Sequence, residues 1–294
     1  MGKALHWNGP PSRIEVMKGF LGIILMFCGA AFAQPSRAFH SELAGSLPHA
    51  DSVPVSVNSV TNGASFQTGI AAGSWVTIKG SNLANIGPDG RIWRGDEIVN
   101  GNLPTQLDGV SVTINGKPAY VYYISPGQIN IQAPSDSAVG PVTIVVNNNG
   151  STNNATAQMQ QFSPAFFQFG GTNAIATRYP DNALIGNPAA IQGTVAAKPG
   201  DVLILWGTGF GPTTPAMPAG VVVTGAPTVN TPPTITLNGS IQAAYLGGAL
   251  SPGSAGLYQI AIQLPANTPA GDVSLQASVG GFQSPNNVHI FVSQ

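Results

Sequence analysis

The second half of the chain repeats the first in the same order, and this limits the fold more than any other feature of the sequence. Gly73-Ser74-Trp75-Val76-Thr77-Ile78-Lys79-Gly80 parallels Gly200-Asp201-Val202-Leu203-Ile204-Leu205-Trp206-Gly207. Residues 112–116 (Val-Thr-Ile-Asn-Gly) parallel 235–239 (Ile-Thr-Leu-Asn-Gly), and Gln128-Ile129-Asn130-Ile131-Gln132-Ala133-Pro134 parallels Gln259-Ile260-Ala261-Ile262-Gln263-Leu264-Pro265. The offsets are 127, 123 and 131 residues, so length differences fall between the matched segments, where loops absorb them. Residues 110–114 alternate apolar and polar with period two and run into the turn pair Asn115-Gly116, with Tyr120 to Ile124 expected as the returning strand. Further β-rich runs at 55–57, 75–78, 129–132, 142–146 and 155–161 are separated by Pro-Gly, Gly-Pro and Asn-Gly punctuation. Short strands at this spacing, in two copies of about 100 residues, are the pattern of tandem β-sandwiches.

Composition removes the alternatives. Only 7% of the residues are charged, against about a quarter in an ordinary soluble domain, so long helices lack both their usual formers and their i,i+4 ion pairs. The 37 glycines and 25 prolines have no every-third-residue order, which excludes a collagen helix. Ten basic and eleven acidic residues give a net charge of −1 with no basic run, which argues against nucleic acid as a partner.

The N-terminus reads as an address. Lys18, the apolar run from Gly19 to Cys28, and Ala31-Phe32-Ala33 follow the order of a secretory signal peptide cleaved after Ala33, with Met17 as an alternative start. The run is too short for a permanent transmembrane anchor. The expected mature chain, Gln34 to Gln294, contains no cysteine, so disulfides and thiolate metal sites are not expected. Residues 34–53 are polar and aperiodic and read as a flexible leader.

Four features bear on chemistry. Gly207-Thr208-Gly209-Phe210-Gly211 follows a strand, but Pro212 and Pro215 stand where a phosphate-binding helix would begin, so turn glycines are the preferred reading. Gln128 and Gln259 recur at one place in both repeats, and amides satisfying buried backbone groups explain this more simply than a ligand site. His289 has no serine or acid near it in sequence, so no catalytic triad can be argued. Asp89, Arg91, Arg94, Asp96 and Glu97 gather around Trp93, whereas the corresponding loop, 212–233, has no charges. A solvated loop whose Trp93 covers a sandwich edge is the preferred reading there. The competing one is a recognition loop, with Arg91, Trp93 and Arg94 as binding residues. Calcium binding by Asp89, Asp96 and Glu97 lacks the regular oxygen-ligand spacing.

Residues 59–66 (Ser-Val-Thr-Asn-Gly-Ala-Ser-Phe), 73–83, 103–110 and 123–130 resemble the Solibacter-type C-terminal domain of acidobacterial secreted proteins, a likeness running from about Val57 to Val292. The second half carries the same pattern in Asn187-Pro188-Ala189, residues 207–212 and Gly256-Leu257-Tyr258-Gln259. Gly80-Ser81-Asn82-Leu83 also gives the first half the look of an IPT/TIG immunoglobulin-like module. The resemblance implies an extracellular sandwich; with the repeat and the N-terminal pattern, the expected chain is all-β, two tandem immunoglobulin-like sandwiches at 54–161 and 173–294, joined by an aromatic linker at 162–172 and preceded by the signal peptide (1–33) and leader (34–53). The resemblance implies no catalytic residues.

The expected function is a secreted, non-enzymatic module pair making adhesive, cell-envelope or matrix contacts outside the cell, with an extracellular protein or polysaccharide as partner. No cofactor and no metal are expected. A carbohydrate-binding accessory using Trp93 with Tyr120, Tyr122 or Tyr123 is the alternative, and a hydrolase with dispersed catalytic residues ranks below it. Self-association is left open, because sheet edges poor in lysine do little to discourage pairing.

Overall fold

The computed structural model describes residues 54–294. The expected signal peptide, the alternative start at Met17 and the leader lie outside the described residues. The described chain is all-β, with helix confined to one 3-10 turn at Gly95–Glu97. The first half contributes β1 (Ser56–Asn62), β2 (Ile70–Ala71), β3 (Trp75–Ser81), β4 (Arg91–Ile92), β5 (Gln106–Leu107), β6 (Val110–Ile114), β7 (Lys117–Pro118), β8 (Tyr120–Ile124), β9 (Gln128–Gln132), β10 (Gly140–Asn148) and β11 (Ser151–Gln160). Then come β12 (Ala165–Phe166), β13 (Gln168–Phe169), β14 (Asn173–Ala174), β15 (Ala176–Tyr179), β16 (Val202–Thr208), β17 (Thr213–Thr214), β18 (Thr228–Val229) and β19 (Thr234–Leu237). The chain closes with β20 (Ile241–Leu250), β21 (Tyr258–Gln263), β22 (Gly271–Val279), β23 (Phe282–Gln283) and β24 (Val288–Val292).

In the first half, a sheet of order β1-β3-β9-β8-β4 and a sheet of order β2-β11-β10-β6-β5 enclose one aliphatic core. The alternation read from the sequence is what fills it. Val76 and Ile78 of β3 and Ile129 and Ile131 of β9 meet Val110, Val112 and Ile114 of β6 and Ile144 and Val146 of β10. One expectation is corrected. The strand returning from Asn115-Gly116 is the short β7, which pairs Thr113 with Pro118, while Tyr120–Ile124 lies in the other sheet, between β9 and β4. The hairpin ladder ends at Ala119, whose N–H still donates to Val112 O at 2.9 Å, and the chain then crosses to the other sheet.

The second half encloses its own core, built from Leu203, Leu205, Ile235, Leu237, Ile260, Ile262, Val273, Leu275 and Ile290 among others. Here the two layers are hydrogen-bonded into one continuous sheet through β20. Its first residues pair with β19 and its later ones with β21, so a single strand passes from layer to layer. The segment 162–172 is structured rather than a loose connector: β12 pairs with β16, β13 pairs with β14, and Phe162, Phe166, Phe167 and Phe169 are buried.

The sequence repeat is reproduced in register. Trp75 pairs with Gln132 as Val202 pairs with Gln263, and Ile114 pairs with Ile144 as Leu237 pairs with Leu275, each member displaced by the offset of its own segment. Backbone bonds follow the same rule. The Gly73 N–H donates to Ala133 O (3.2 Å) and the Gly200 N–H to Leu264 O (2.9 Å). Even the turn caps coincide, since Ser74 Oγ accepts from the Ala71 N–H at 3.1 Å and Asp201 Oδ2 from the Lys198 N–H at 2.8 Å.

Ile129 and Ile260 are therefore equivalent, both with no exposed surface. Each Ile→Ala substitution is expected to cost about 2–5 kcal/mol through lost burial and the cavity left behind. Urea denaturation of the two variants checks both the size and the equality of the effect.

Candidate functional site

The charged loop and the seam between the halves form one structure. Arg91, on β4, has five guanidinium N–H groups, and all five are engaged. Nε and Nη2 bond Asp108 (both 2.6 Å), Nη1 and Nη2 bond Glu97 (3.0 and 2.9 Å), and Nη1 also bonds Ile92 O (3.1 Å). This fork drives both carboxyls below the usual range, the hydrogen bond from Arg91 being the largest cause for each, and raises the guanidinium further. Glu97 also accepts from the Arg94 N–H at 2.6 Å, closing the 3-10 turn. Of the three residues expected to bind a partner, Arg94 alone keeps a mostly exposed side chain (63%), with loose ion pairs to Asp96 and Glu97.

Trp93 is half-buried rather than presented. Its ring stands edge-on to Tyr122 (centroids 4.5 Å apart, 82°) and tilted against Trp75 (6.1 Å), over the outer face of the first-half sheet. Tyr122 is itself buried, and burial pushes its phenol up to about 12. It is the extra residue of a bulge in β8 between Val121 and Tyr123, which turns it onto this face beside Tyr120 and Tyr123. The Tyr123 hydroxyl donates to Asp89 O at 3.1 Å. The aromatics expected as a sugar platform are thus built into a third buried cluster, which continues into the second half through Phe167, Ile175, Ala255 and Leu257.

Polar bonds cross the same seam. Trp75 donates its backbone N–H to Thr208 Oγ1 and its indole Nε1–H to Ala255 O, both at 3.0 Å. Gln132 donates to Gly73 O at 3.0 Å and accepts from the Gly220 N–H at 2.8 Å. The two corresponding loops then meet, Asn102 pairing antiparallel with Val221 while the Leu103 N–H reaches Gly220 O at 2.7 Å. Glycine makes these approaches possible. A Cβ on Gly220 would stand 2.0 Å from the Tyr120 ring, and one on Gly211 would stand 2.3 Å from the Phe162 ring. The Gly-Thr-Gly-Phe-Gly run thus receives the chain leaving the first half: Ser163 N–H donates to Gly209 O at 3.0 Å, and Tyr258 Oη donates to Gly211 O.

The remaining candidates are placed apart from this seam cluster. Gln128 and Gln259 bond side chains, Asn130 Oδ1 (2.9 Å) and Ser251 Oγ (3.0 Å), not the buried backbone groups expected of them. His289 lies on β24 with Nδ1 3.3 Å from Thr172 Oγ1. Among the described residues, no three of His, Cys, Asp and Glu are grouped as a metal site, and no helix is long and apolar enough to cross a membrane.

Residues 59–164 match the IPT/TIG domain family model. The IPT/TIG match covers about a third of the chain and carries the immunoglobulin-like character expected of the first half. No curated protein matches the sequence. Solved structures similar to the chain include the surface glycan-binding protein PbSGBP-B from Prevotella bryantii (13% identity, TM-score 0.24, 79% of this chain and 41% of that one). Another is the mixed-linkage glucan utilization locus SGBP-B of Bacteroides ovatus (12%, 0.31, 76% and 42%). A third is an auxiliary nutrient binding protein from Bacteroides ovatus (12%, 0.24, 82% and 59%). The chain spans about two fifths of the length of the first two.

Gln132 and Trp75 are the seam residues that the repeat contained but did not flag. Gln263 makes the bond equivalent to that of Gln132, to Gly200 O (3.2 Å), yet is exposed. Trp75 stands where the second repeat has Val202. A large aromatic at one copy of a duplicated outer-face position is the signal that would have marked the seam.

Two outcomes follow. Gly211→Ala should be strongly destabilising, and Phe162→Ala should cost about 3–5 kcal/mol. The double variant should cost less than their sum, because removing the ring removes the clash, and a denaturant double-mutant cycle measures this coupling. Arg91→Leu should destabilise at neutral pH, where Glu97 and Asp108 are ionised and paired. Both carboxyls are depressed in the fold, so their contribution is present above the ordinary carboxylate range near pH 4 and is lost as pH falls through the lowered values. The gap between Arg91→Leu and the parent should therefore narrow on acidification, as read by denaturation at neutral pH and at about pH 3.

Proposed function

We propose that this chain is a non-enzymatic binding module that works outside the cell, two immunoglobulin-like units (54–161 and 173–294) joined through 162–172. The observation that carries the reading is the seam. A buried aromatic cluster, paired loops and cross-half hydrogen bonds fix the two sandwiches against one another, as suits a protein that holds a surface in a set orientation. The IPT/TIG match supports the same reading. The signal-like N-terminus supports export, and the Solibacter-type resemblance over 57–292 supports a secreted setting. Within the charged loop, Arg91 and Trp93 act as structural residues, and Arg94 is the one left to meet a partner.

The test is retention. The mature chain should be held on cell-envelope or extracellular polymer fractions of the producing organism and should show no turnover of ester, peptide or glycoside substrates. Absence of retention on every fraction, or turnover abolished by His289→Ala, overturns the reading.

A further inference from the structure

We propose that a cleft on the seam, away from the charged loop, binds a neutral polysaccharide. This deepens the binding-module reading and rests on it. The cleft measures about 580 Å³ and is walled by the first half at Ser65, Gln67, Thr68 and Gln160 and by the second half around Gln276 and Phe282–Gln283. Its volume lies within the roughly 300–1,000 Å³ of ligand sites. None of its lining residues is charged.

Four glutamines line it, Gln67, Gln160, Gln276 and Gln283. Gln67 and Gln283 are exposed and Gln160 half-buried, and each side-chain amide offers a donor and an acceptor to a ligand. Gln160 lies against Gly69, where an added Cβ would come within 2.6 Å of its Oε1. Gln276 is fixed by donating to Ser284 O at 3.0 Å, which leaves its Oε1 able to accept.

Ser163, in the lining, ties the two halves together, its N–H donating to Gly209 O at 3.0 Å. Asn62 Nδ2 donates to Ser163 O at 2.8 Å and to Ser163 Oγ at 2.9 Å, and Ser163 Oγ donates to Gly69 O at 2.9 Å. On the far wall, Phe282 is half-buried and packs tilted against Phe162, with centroids 6.1 Å apart. Phe162 occupies the slot beside Gly211, so the aromatic wall is held by the same residue that joins the halves.

This chemistry selects its ligand. Hydroxyl groups donate and accept, which amides match in both senses, and the C–H face of a sugar ring suits a phenyl wall. An anionic polymer would find no cation here. A peptide would find neither a deep apolar pocket for an anchor residue nor a charge for its termini. Binding without charge should also be insensitive to salt.

Affinity electrophoresis of the full chain in gels containing a neutral glucan, a neutral xylan or a neutral mannan, with polygalacturonate as the anionic contrast, tests the proposal. The expected result is retardation in at least one neutral gel, unchanged by added salt and weakened about tenfold by Phe282→Ala or by Gln160→Ala with Gln283→Ala. Thermal unfolding of each variant is followed alongside, and Gln283→Ala, at an exposed position, supplies the readout if Phe282→Ala does not fold. Retardation only in polygalacturonate, none in any neutral gel, or retardation indifferent to the cleft variants overturns the assignment, as does binding to a polar peptide array lost on the same substitutions. Envelope retention that persists in the cleft variants would overturn the cleft while leaving the binding-module reading in place.

Discussion

Trp75 must be covered, and most of the arrangement of this chain follows from how that is done. Its indole lies on the outer face of a sheet that already buries its other face in the first core, so its apolar area and its N–H both need a partner from outside the sandwich. The second half supplies both, with Leu257 and Phe167 in the surrounding cluster and Ala255 O as acceptor. A buried N–H left without that carbonyl would cost about 1–3 kcal/mol, and the lost ring burial would add to it. The seam is therefore a core of its own rather than a contact between finished surfaces.

The same duplicated strands reach opposite ends in the two halves. Each carries a bulge at the equivalent place, Tyr122 in β8 and Leu246 in β20. Tyr122 is buried beneath the seam, whereas Leu246 is 53% exposed. Gln132 and Gln263 repeat the contrast, making the same bond to a glycine carbonyl with only the first also receiving an N–H from the other half. The two copies share strand register and caps, and the aromatics Trp75 and Tyr122, which the second copy lacks at the equivalent positions, make one outer face of the first an interface. The polar cleft is a by-product of that joining, since its two walls come from different copies and are held together by Asn62, Ser163 and Phe162.

Much of the fold was legible because strand alternation is local. The period-two runs around 110–114 and 128–132 state which side chains face a core, and the repeat states it twice. The crossing after Ala119 was misread because Asn115-Gly116 signals a turn equally well for a long hairpin and for a short one, and which sheet Tyr120–Ile124 joins depends on contacts outside that turn. The candidate site was less legible. Arg91 in a charged loop looks the same in sequence whether it faces a partner or is forked between Glu97 and Asp108, and Asp108 lies 17 residues away. Trp93 likewise gives no sign of the ring it will meet.

The sequence by itself determined the all-β class, the duplicated strand set, the near-absence of charge and the turns that separate the strands, because these depend on neighbours within a few residues and on composition. Only the tertiary structure decided the strand register, which outer face would be buried, that the charged loop would serve the seam, and that glutamines 67, 160, 276 and 283 would line one cleft. Those outcomes depend on contacts between groups up to 180 residues apart, as from Trp75 to Ala255, and no local periodicity records a distance of that kind.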